Sequence, residues 1–409
     1  MIPEFTIAVP VVGNRWSVGL AFQIHLVFVA FIMGIAILAP TAELLGLRRG
    51  GEHWERLAHE LGLTIVRIFS FAATWAVFAL VLLFGLYPRL FGVLTGIFFW
   101  PLVAVPIIWL AMTLSAYFYY YTWTRLDQHR GAHLAIGWTF AASAFAFITV
   151  IVELSSFQLT PTQSTQLPAA SFNPSWLPEV IHRHVGNLSY AGLLLAGYAS
   201  VRTLLFRVDE GDRAYYDWLG HVGLLLGVGL ALLQPVAGWF YARQVQLASP
   251  GAYQRMMIAD DAWLFLVQTF FLGATFFMGN VYLTLAIRRG SPGPRTANWL
   301  RGSLWAIGLL ALLGIVPSGW PLGQMMPWKY VSLAGLVLLS AVNLGLYLRA
   351  RGSFVWGRAG RGSQMALAAL GVTIVALIVT MGIIRESARG RDLIYGVMGP
   401  NQAQRLEQP

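Results

Sequence analysis

Ten apolar stretches, each long enough to cross a bilayer, constrain this chain more than any motif in it. They run at about 16–43, 61–86, 93–122, 132–156, 180–206, 217–241, 262–287, 299–317, 329–349 and 364–385. A helix needs about 20 apolar residues to span hydrocarbon, whereas a barrel strand needs about ten of alternating polarity, so these lengths predict helices. The chain is 57% hydrophobic and 11% charged, against roughly a quarter charged in a soluble domain. The expected fold is therefore an all-α polytopic membrane protein, with about ten transmembrane helices in a bundle. The eighth stretch is the weakest, being short and running into Pro317, Gly319 and Pro321. No polar segment between spans is long enough to fold alone, which predicts one integral membrane domain over 1–409. The N-terminus, MIPEFTIAVPVVGNRW, lacks a basic region before an apolar core, so no cleaved signal peptide is expected and the first span serves as its own insertion signal.

The basic residues sort by loop. Alternate loops hold Arg48, Arg49 and Arg56; Arg125 and Arg130; Arg202, Arg207 and Arg213; Arg288, Arg289, Arg295 and Arg301; and Arg349, Arg351, Arg358 and Arg361. The other face has only Arg15, Arg89, Arg183, Arg243, Arg255 and Lys329 before a tail bearing Arg385, Arg389, Arg391 and Arg405. Positive charge concentrates on the cytoplasmic side. Ten spans then put both termini on the periplasmic side of a bacterial inner membrane. The formal charge of +10 is thus a topology signal, and no nucleic-acid partner is expected.

An ionisable or metal-binding side chain inside a span is costly and tends to mark function. His25, in AFQIHLVF, and His184, in EVIHRHVGNLSYAG, both fall in the outer half of their spans. Zero cysteines exclude disulfides, iron–sulfur ligation and covalent haem attachment. Two imidazoles at membrane depth then point to non-covalent haem b, one or more, with His25 and His184 as iron ligands. The structural alternatives are a His25 bonded to a neighbouring helix carbonyl and a His184 that merely caps a helix start. Arg183 could pair with a haem propionate, and His182 is the weaker ligand candidate because it faces another direction. Gly186, Ser189 and Gly192 thin one flank, admitting either a flat macrocycle or a neighbouring helix. His221 begins the sixth span near the cytoplasmic face, too far to share that iron. His53, His59, His129 and His133 fall beside Arg and Glu in loops, which predicts solvated side chains. Arg67 reads as a snorkelling residue. Glu153, near the outer end of the fourth span, could accept protons from quinol. The outer loop after the sixth span, GWFYARQVQLASPGAYQRMMIADD, supplies Arg243 and Gln244 as candidates for a quinone headgroup pocket. Sixteen Trp and fifteen Tyr are mostly absorbed by aromatic belts at the interfaces.

With those residues in place, the chain resembles subunit I of the cytochrome bd quinol oxidases. The likeness is clearest over 16–242, the core with the haem sites: the context of His25, the W-x-R-L run of Trp123, Arg125 and Leu126, and the H-x5-Y pattern from His184 to Tyr190. A second match joins the last two spans and tail, 329–409. There PWKYVSLAGLVLL resembles the span carrying the low-spin haem's methionine, and GIIRESARG resembles the E-x-G-R-Q-P-W signature through Glu386 and Arg389. The resemblance implies that His25 ligates a haem in the oxygen-site region and His184 one of the low-spin haem b that takes electrons from quinol. The chain also departs from the pattern. Val331 stands where the axial methionine is expected, with Met325 and Met326 a turn or more earlier. Thr380 stands near the glutamate ligand of the second high-spin haem, and Ala104 and Met112 near the two acids of the third span. Region 243–328 has a shortened quinol loop and two extra spans.

Oxygen reduction needs an open high-spin iron and carboxylates that deliver protons into an apolar site. Their absence at these positions makes haem d and oxygen chemistry doubtful, whereas a quinol-to-acceptor route needs fewer parts. The expected function is a haem-b respiratory subunit that oxidises menaquinol or ubiquinol near the periplasmic face. It would pass electrons to a partner: a second membrane subunit, a periplasmic cytochrome c or an iron–sulfur subunit. A genuine bd-type terminal oxidase is the first alternative. A transporter or membrane scaffold without redox cofactor is the second, although transporters tend to show repeated broken helices and only Pro317–Pro327 is interrupted here.

Overall fold

The computed structural model describes residues 9–162, 166–258, 262–318, 325–350, 352 and 354–389. These form thirteen α-helices and one short 3-10 turn, with no strand among the described residues. In order they are α1 (Asn14–Arg49), α2 (Glu52–Leu86), α3 (Pro88–Ile97), α4 (Phe99–Tyr121), α5 (Arg130–Phe157), α6 (Trp176–Leu205), α7 (Glu210–Ala231), α8 (Gln234–Ala248), α9 (Pro250–Met257), α10 (Ala262–Arg288), α11 (Pro294–Gly314), α12 (Met326–Ala350) and α13 (Arg361–Arg389). Among the described residues, nine helices are long and apolar enough to cross a membrane.

Three expected spans take a different local form. The stretch at 299–317 is the helix α11, which falls short of the nine because Arg295, Asn298 and Arg301 occupy its first turns. The third span begins as the separate helix α3, whose first residue is Pro88, and α4 follows after a break at Phe98. The sixth belongs to an apolar stretch, Glu210–Ala248, broken at Leu232 and Leu233. Pro235, second in α8, explains that break: it offers no N–H to the preceding turn, and its ring crowds the carbonyl four residues back. Helix ends are marked by local chemistry. Gly50 takes φ 61° and donates its N–H to Gly46, closing α1 after Arg48 and Arg49. Asp209 accepts the Asp212 N–H at 2.7 Å and starts α7.

The chain divides into two compact units: residues 1–184, 241–252 and 385–409, and residues 185–240 and 253–384. In the first, α1 packs along α2 and α5, and α4 lies against α5 and α2. Ile32, Ile35, Ala36 and Ala39 of α1 and Leu57, Ala58, Leu61 and Ile65 of α2 are buried. Tyr119 of α4 reaches between two glycines, one at each edge of its ring. A Cβ on Gly137 would come within 2.7 Å of its ring, and one on Gly62 within 3.5 Å. Leu94, Phe98, Phe157 and Ala170 form a second buried cluster.

In the second unit, backbone meets backbone. A Cβ on Gly192 of α6 would stand 2.6 Å from the Gly227 nitrogen and 2.7 Å from the Gly223 carbonyl oxygen of α7. Ser189 donates to the Gly227 carbonyl at 2.8 Å. Gly197 and Gly371 similarly bring α6 and α13 together. Lipid tails are as apolar as leucine, so close approach and hydrogen bonds hold such helices together, which is why small residues line the crossings. The flank thinned by Ser189 and Gly192 is therefore filled by α7, and Gly186 faces the Gln234 amide. Helices α10, α11 and α12 are joined by polar groups instead. Asn343 donates to Asn280 at 2.9 Å and to Ser303 at 3.1 Å, Asn280 donates to Ser340 at 2.7 Å, and Trp299 donates to Asn343 at 3.0 Å.

Gly192→Leu should overpack the α6–α7 crossing and cost about 1–3 kcal/mol, read as a lower thermal midpoint of the detergent-solubilised protein. Gly302, where an added Cβ meets nothing within 4 Å, serves as the control: Gly302→Ala should leave the midpoint unchanged or raised.

Candidate functional site

His25 lies on the first third of α1, half-buried, facing α2. Its Nδ1 is 2.9 Å from the Ala72 carbonyl oxygen. A carbonyl can only accept, so Nδ1 carries the proton and the ring is held in the tautomer whose Nε2 bears a free lone pair. Among the described residues no hydrogen-bond partner meets that Nε2. The structural alternative for His25, a bond to a neighbouring helix carbonyl, is thus what Nδ1 makes. The same bond is the support that a metal-ligating imidazole ordinarily has.

His184 lies two turns into α6. Its ring stacks on Phe145 of α5 with centroids 3.9 Å apart and planes at 14°. Its Nε2 is 3.4 Å from the Thr149 hydroxyl, a long contact. That hydroxyl already donates to the Phe145 carbonyl at 2.9 Å, so it offers His184 only an acceptor. His182 turns instead toward the Tyr241 ring, at 5.8 Å. No group of three or more His, Cys, Asp or Glu capable of holding a bare metal ion exists among the described residues. Haem iron asks for less: its four equatorial ligands come with the porphyrin, and one or two imidazoles complete it. The donors present fit that requirement.

The strongest polar cluster near His182 and His184 centres on Glu179, a residue that sequence inspection did not single out. It sits in the first turn of α6 and is 1% exposed. Arg183, one helical turn on, donates Nε to Glu179 Oε1 at 2.9 Å, and Ser155 of α5 donates to the same oxygen at 2.9 Å. Arg385 of α13 donates its Nη2 to Oε1, and Tyr241 of α8 donates to Oε2 at 3.0 Å. Arg183 therefore spends its Nε on Glu179. The carboxylate neutralises one of two guanidinium charges, leaving one positive charge in a largely dry place, where an anion would be favoured. The one sequence signal for this cluster was the Glu179–Arg183 spacing of four on a helix.

Of the quinol candidates, Glu153 is half-buried near the end of α5 and faces Ser171. Its Oε2 is buried with no hydrogen-bond partner among the described residues. Its backbone carbonyl lies beside the bonded group of Asn173, Ser156, Thr160 and Ser175. The segment expected as an outer loop is helical: Arg243 and Gln244 lie on α8, and α9 follows. Ala, Arg, Gln and Leu are good helix formers, and no Gly or Pro interrupts 239–248. Arg243 is exposed and donates to Gln246 at 2.7 Å; Gln244 is half-buried. No hydrogen bond joins either to Glu153. The last part of that segment, 259–261, and the Arg255 side chain lie outside the described residues, as do residues 319–324 of the Pro317–Pro327 interruption and the side chains of Glu386 and Arg389.

Among the other histidines, His59 and His129 are exposed and His53 is half-buried. His133 departs from the expectation of solvation. It is 0% exposed, with Nδ1 2.7 Å from Glu43 Oε1 and Nε2 2.7 Å from the Tyr119 carbonyl. It opens the apolar face of α5 and points between α1 and α4, where a carboxylate and a carbonyl pay for its desolvation. His221 is buried and bonded to the Tyr347 hydroxyl. Arg67 is exposed along α2. Met112 and Thr380 are buried, whereas Val331 is exposed.

The comparisons with known proteins agree with this architecture. The fold is similar to that of a chain in the bd oxidase structure from Geobacillus thermodenitrificans, at a TM-score of 0.57 and 14% identity, over 92% of this chain and 98% of that one. No curated protein gives a match. The model of the family described as cytochrome bd terminal oxidase subunit I matches residues 14–403. That family is one of membrane subunits of electron-transport oxidoreductases, and the chain belongs to the cytochrome bd terminal oxidase subunit I family.

Proposed function

We propose that this chain is a haem-b subunit of a bacterial inner-membrane respiratory complex, oxidising quinol near the periplasmic face and passing electrons to a partner. The observation that carries the reading is the His25 ring, anchored through Nδ1 on Ala72 with Nε2 unspent. His25 and His184 would hold the iron, each on its own haem or in company with a second ligand. When bound, haem supplies a one-electron carrier between a two-electron quinol donor and the acceptor. Arg183 and Arg385, only half-compensated by Glu179, supply the charge that would hold a propionate. Glu153, with one buried carboxylate oxygen unpartnered, is the base to which a quinol hydroxyl would give its proton. Arg243 and Gln244 would contact the headgroup from α8. The partner is a second membrane subunit, or a periplasmic cytochrome c or iron–sulfur subunit.

A second reading, a terminal oxidase that reduces oxygen, is favoured by the family match itself. It asks for a haem ligand and channel acids where this chain has Thr380, Ala104 and Met112. Oxygen consumption by quinol-fed membranes, with a haem d absorption band, would select it.

The full-length protein purified from a haem-replete host should give a b-type reduced-minus-oxidised spectrum, and a pyridine haemochrome assay should count at least one haem b per chain. His184→Ala should remove a low-spin signal while circular dichroism keeps its helical content. A haem-free preparation would overturn the reading.

Glu179→Ala should leave two buried guanidinium groups without their carboxylate and destabilise the protein by about 3–5 kcal/mol. Thermal unfolding in detergent reads this, with Glu179→Gln intermediate. Glu153→Gln should lower quinol turnover about a hundredfold or more while leaving the haem spectrum intact.

A further inference from the structure

The pair buried between α1, α4 and α5 shares one proton in this geometry. His133 Nε2 faces the Tyr119 carbonyl at 2.7 Å, and a carbonyl only accepts, so Nε2 carries a proton. His133 Nδ1 faces Glu43 Oε1 at 2.7 Å. An imidazole lone pair and a carboxylate oxygen repel at that distance unless one proton lies between them. The pair is then neutral, either as imidazolium with carboxylate or as imidazole with carboxylic acid. His133 is 0% and Glu43 1% exposed, so water does not bridge from outside.

The site has one side left open. Both histidine nitrogens are used, and Glu43 Oε1 is used. Glu43 Oε2 and the Tyr119 hydroxyl are each buried with no hydrogen-bond partner among the described residues, and the two groups interact electrostatically. The hydroxyl stands beside the carboxylate, close enough for a hydrogen-bonding interaction with it, so a small turn of the hydroxyl completes a bond to Oε2. Aromatic rings and a few charged groups surround the site, and Arg130 acts on Tyr119 electrostatically. Trp123 lies edge-on to His133 at 5.0 Å, with Arg130 of α5 over Trp123 at 5.2 Å and paired to Asp127 at 2.6 Å. From α2, the His59 ring lies 5.2 Å from that of Trp123, and the Glu55 side chain lies over Gly46. Glu43 stands eighteen residues beyond His25 on α1, about 27 Å along the helix, at the opposite end of the span.

We propose that Glu43, His133 and Tyr119 form a binding site for one exchangeable proton, closed at the histidine and entered only through Glu43 Oε2. Loading puts the proton between Nδ1 and Oε1. Unloading returns it through Oε2 to the Tyr119 side, leaving neutral imidazole and a carboxylate that turns away from the Nδ1 lone pair to accept from the Tyr119 hydroxyl. The site is independent of the haem reading, because none of its three groups is a candidate haem ligand or quinol contact.

Glu43→Gln keeps the geometry without the proton, since the glutamine amide can donate to Nδ1 while Nε2 still donates to Tyr119. Infrared difference spectra of the purified full-length protein, stepped between about pH 5 and about pH 10, should contain a carboxyl signal that Glu43→Gln removes. Over the same step the wild-type protein should take up one proton per chain more than Glu43→Gln. Transfer to D2O should shift that signal, and Tyr119→Phe should slow the shift severalfold. A Glu43 signal unchanged by pH, with no difference in proton uptake, would make the pair a fixed brace and overturn the proposal. Exchange as fast in Tyr119→Phe as in wild type would overturn the assigned entrance. If Tyr119→Phe fails to fold, the Glu43→Gln comparison still decides the proton count.

Discussion

A backbone N–H or carbonyl in hydrocarbon has no water to fall back on, and leaving one unpaired costs several kcal/mol. The long helices follow from that requirement, because a helix pairs its own backbone groups. The same pressure acts on hydroxyls. Thr41, Thr64, Ser70, Thr95 and Thr139 each donate to the carbonyl four residues earlier on their own helix, so each enters the apolar interior already satisfied.

Charged groups meet the same demand by recruiting partners from other helices. Lys329 of α12 donates to the Gly314 carbonyl at the end of α11 at 2.6 Å and lies over the Phe265 ring. Asp217 of α7 accepts the Gly357 N–H at 3.0 Å and faces Arg289 at 3.7 Å. Glu179 gathers donors from α5, α6, α8 and α13. In each case a polar group that would oppose membrane insertion becomes a tie between elements distant in sequence, and removing one partner strands the other.

This explains which features were legible in the sequence. Runs of apolar residues reveal helices directly, and the placement of His25 and His184 within their spans needed only counting. The Pro235 break, the separate α3 and the helical form of 239–248 depend on local competition that hydropathy averages away. His133 looked solvated because Arg130 and His129 precede it, yet helical periodicity turns it inward onto Glu43, ninety residues earlier. Glu179 was invisible for a similar reason: Ser155, Tyr241 and Arg385 come from three other helices, and only Arg183 stands at helical spacing. His25 gave its depth to sequence reading and its tautomer only to the structure, because Ala72 is a partner through its backbone and carries no side-chain signal.

The crossing of Gly192 with Gly223 and Gly227 has a further meaning. Where two backbones touch with no side chain between them, neither an acyl tail nor a file of solvent molecules can thread the contact. Membranes that store energy as an ion gradient lose it through every imperfect seam. Glycine at these positions therefore does more than permit close approach: at this level it leaves no gap between the two helices.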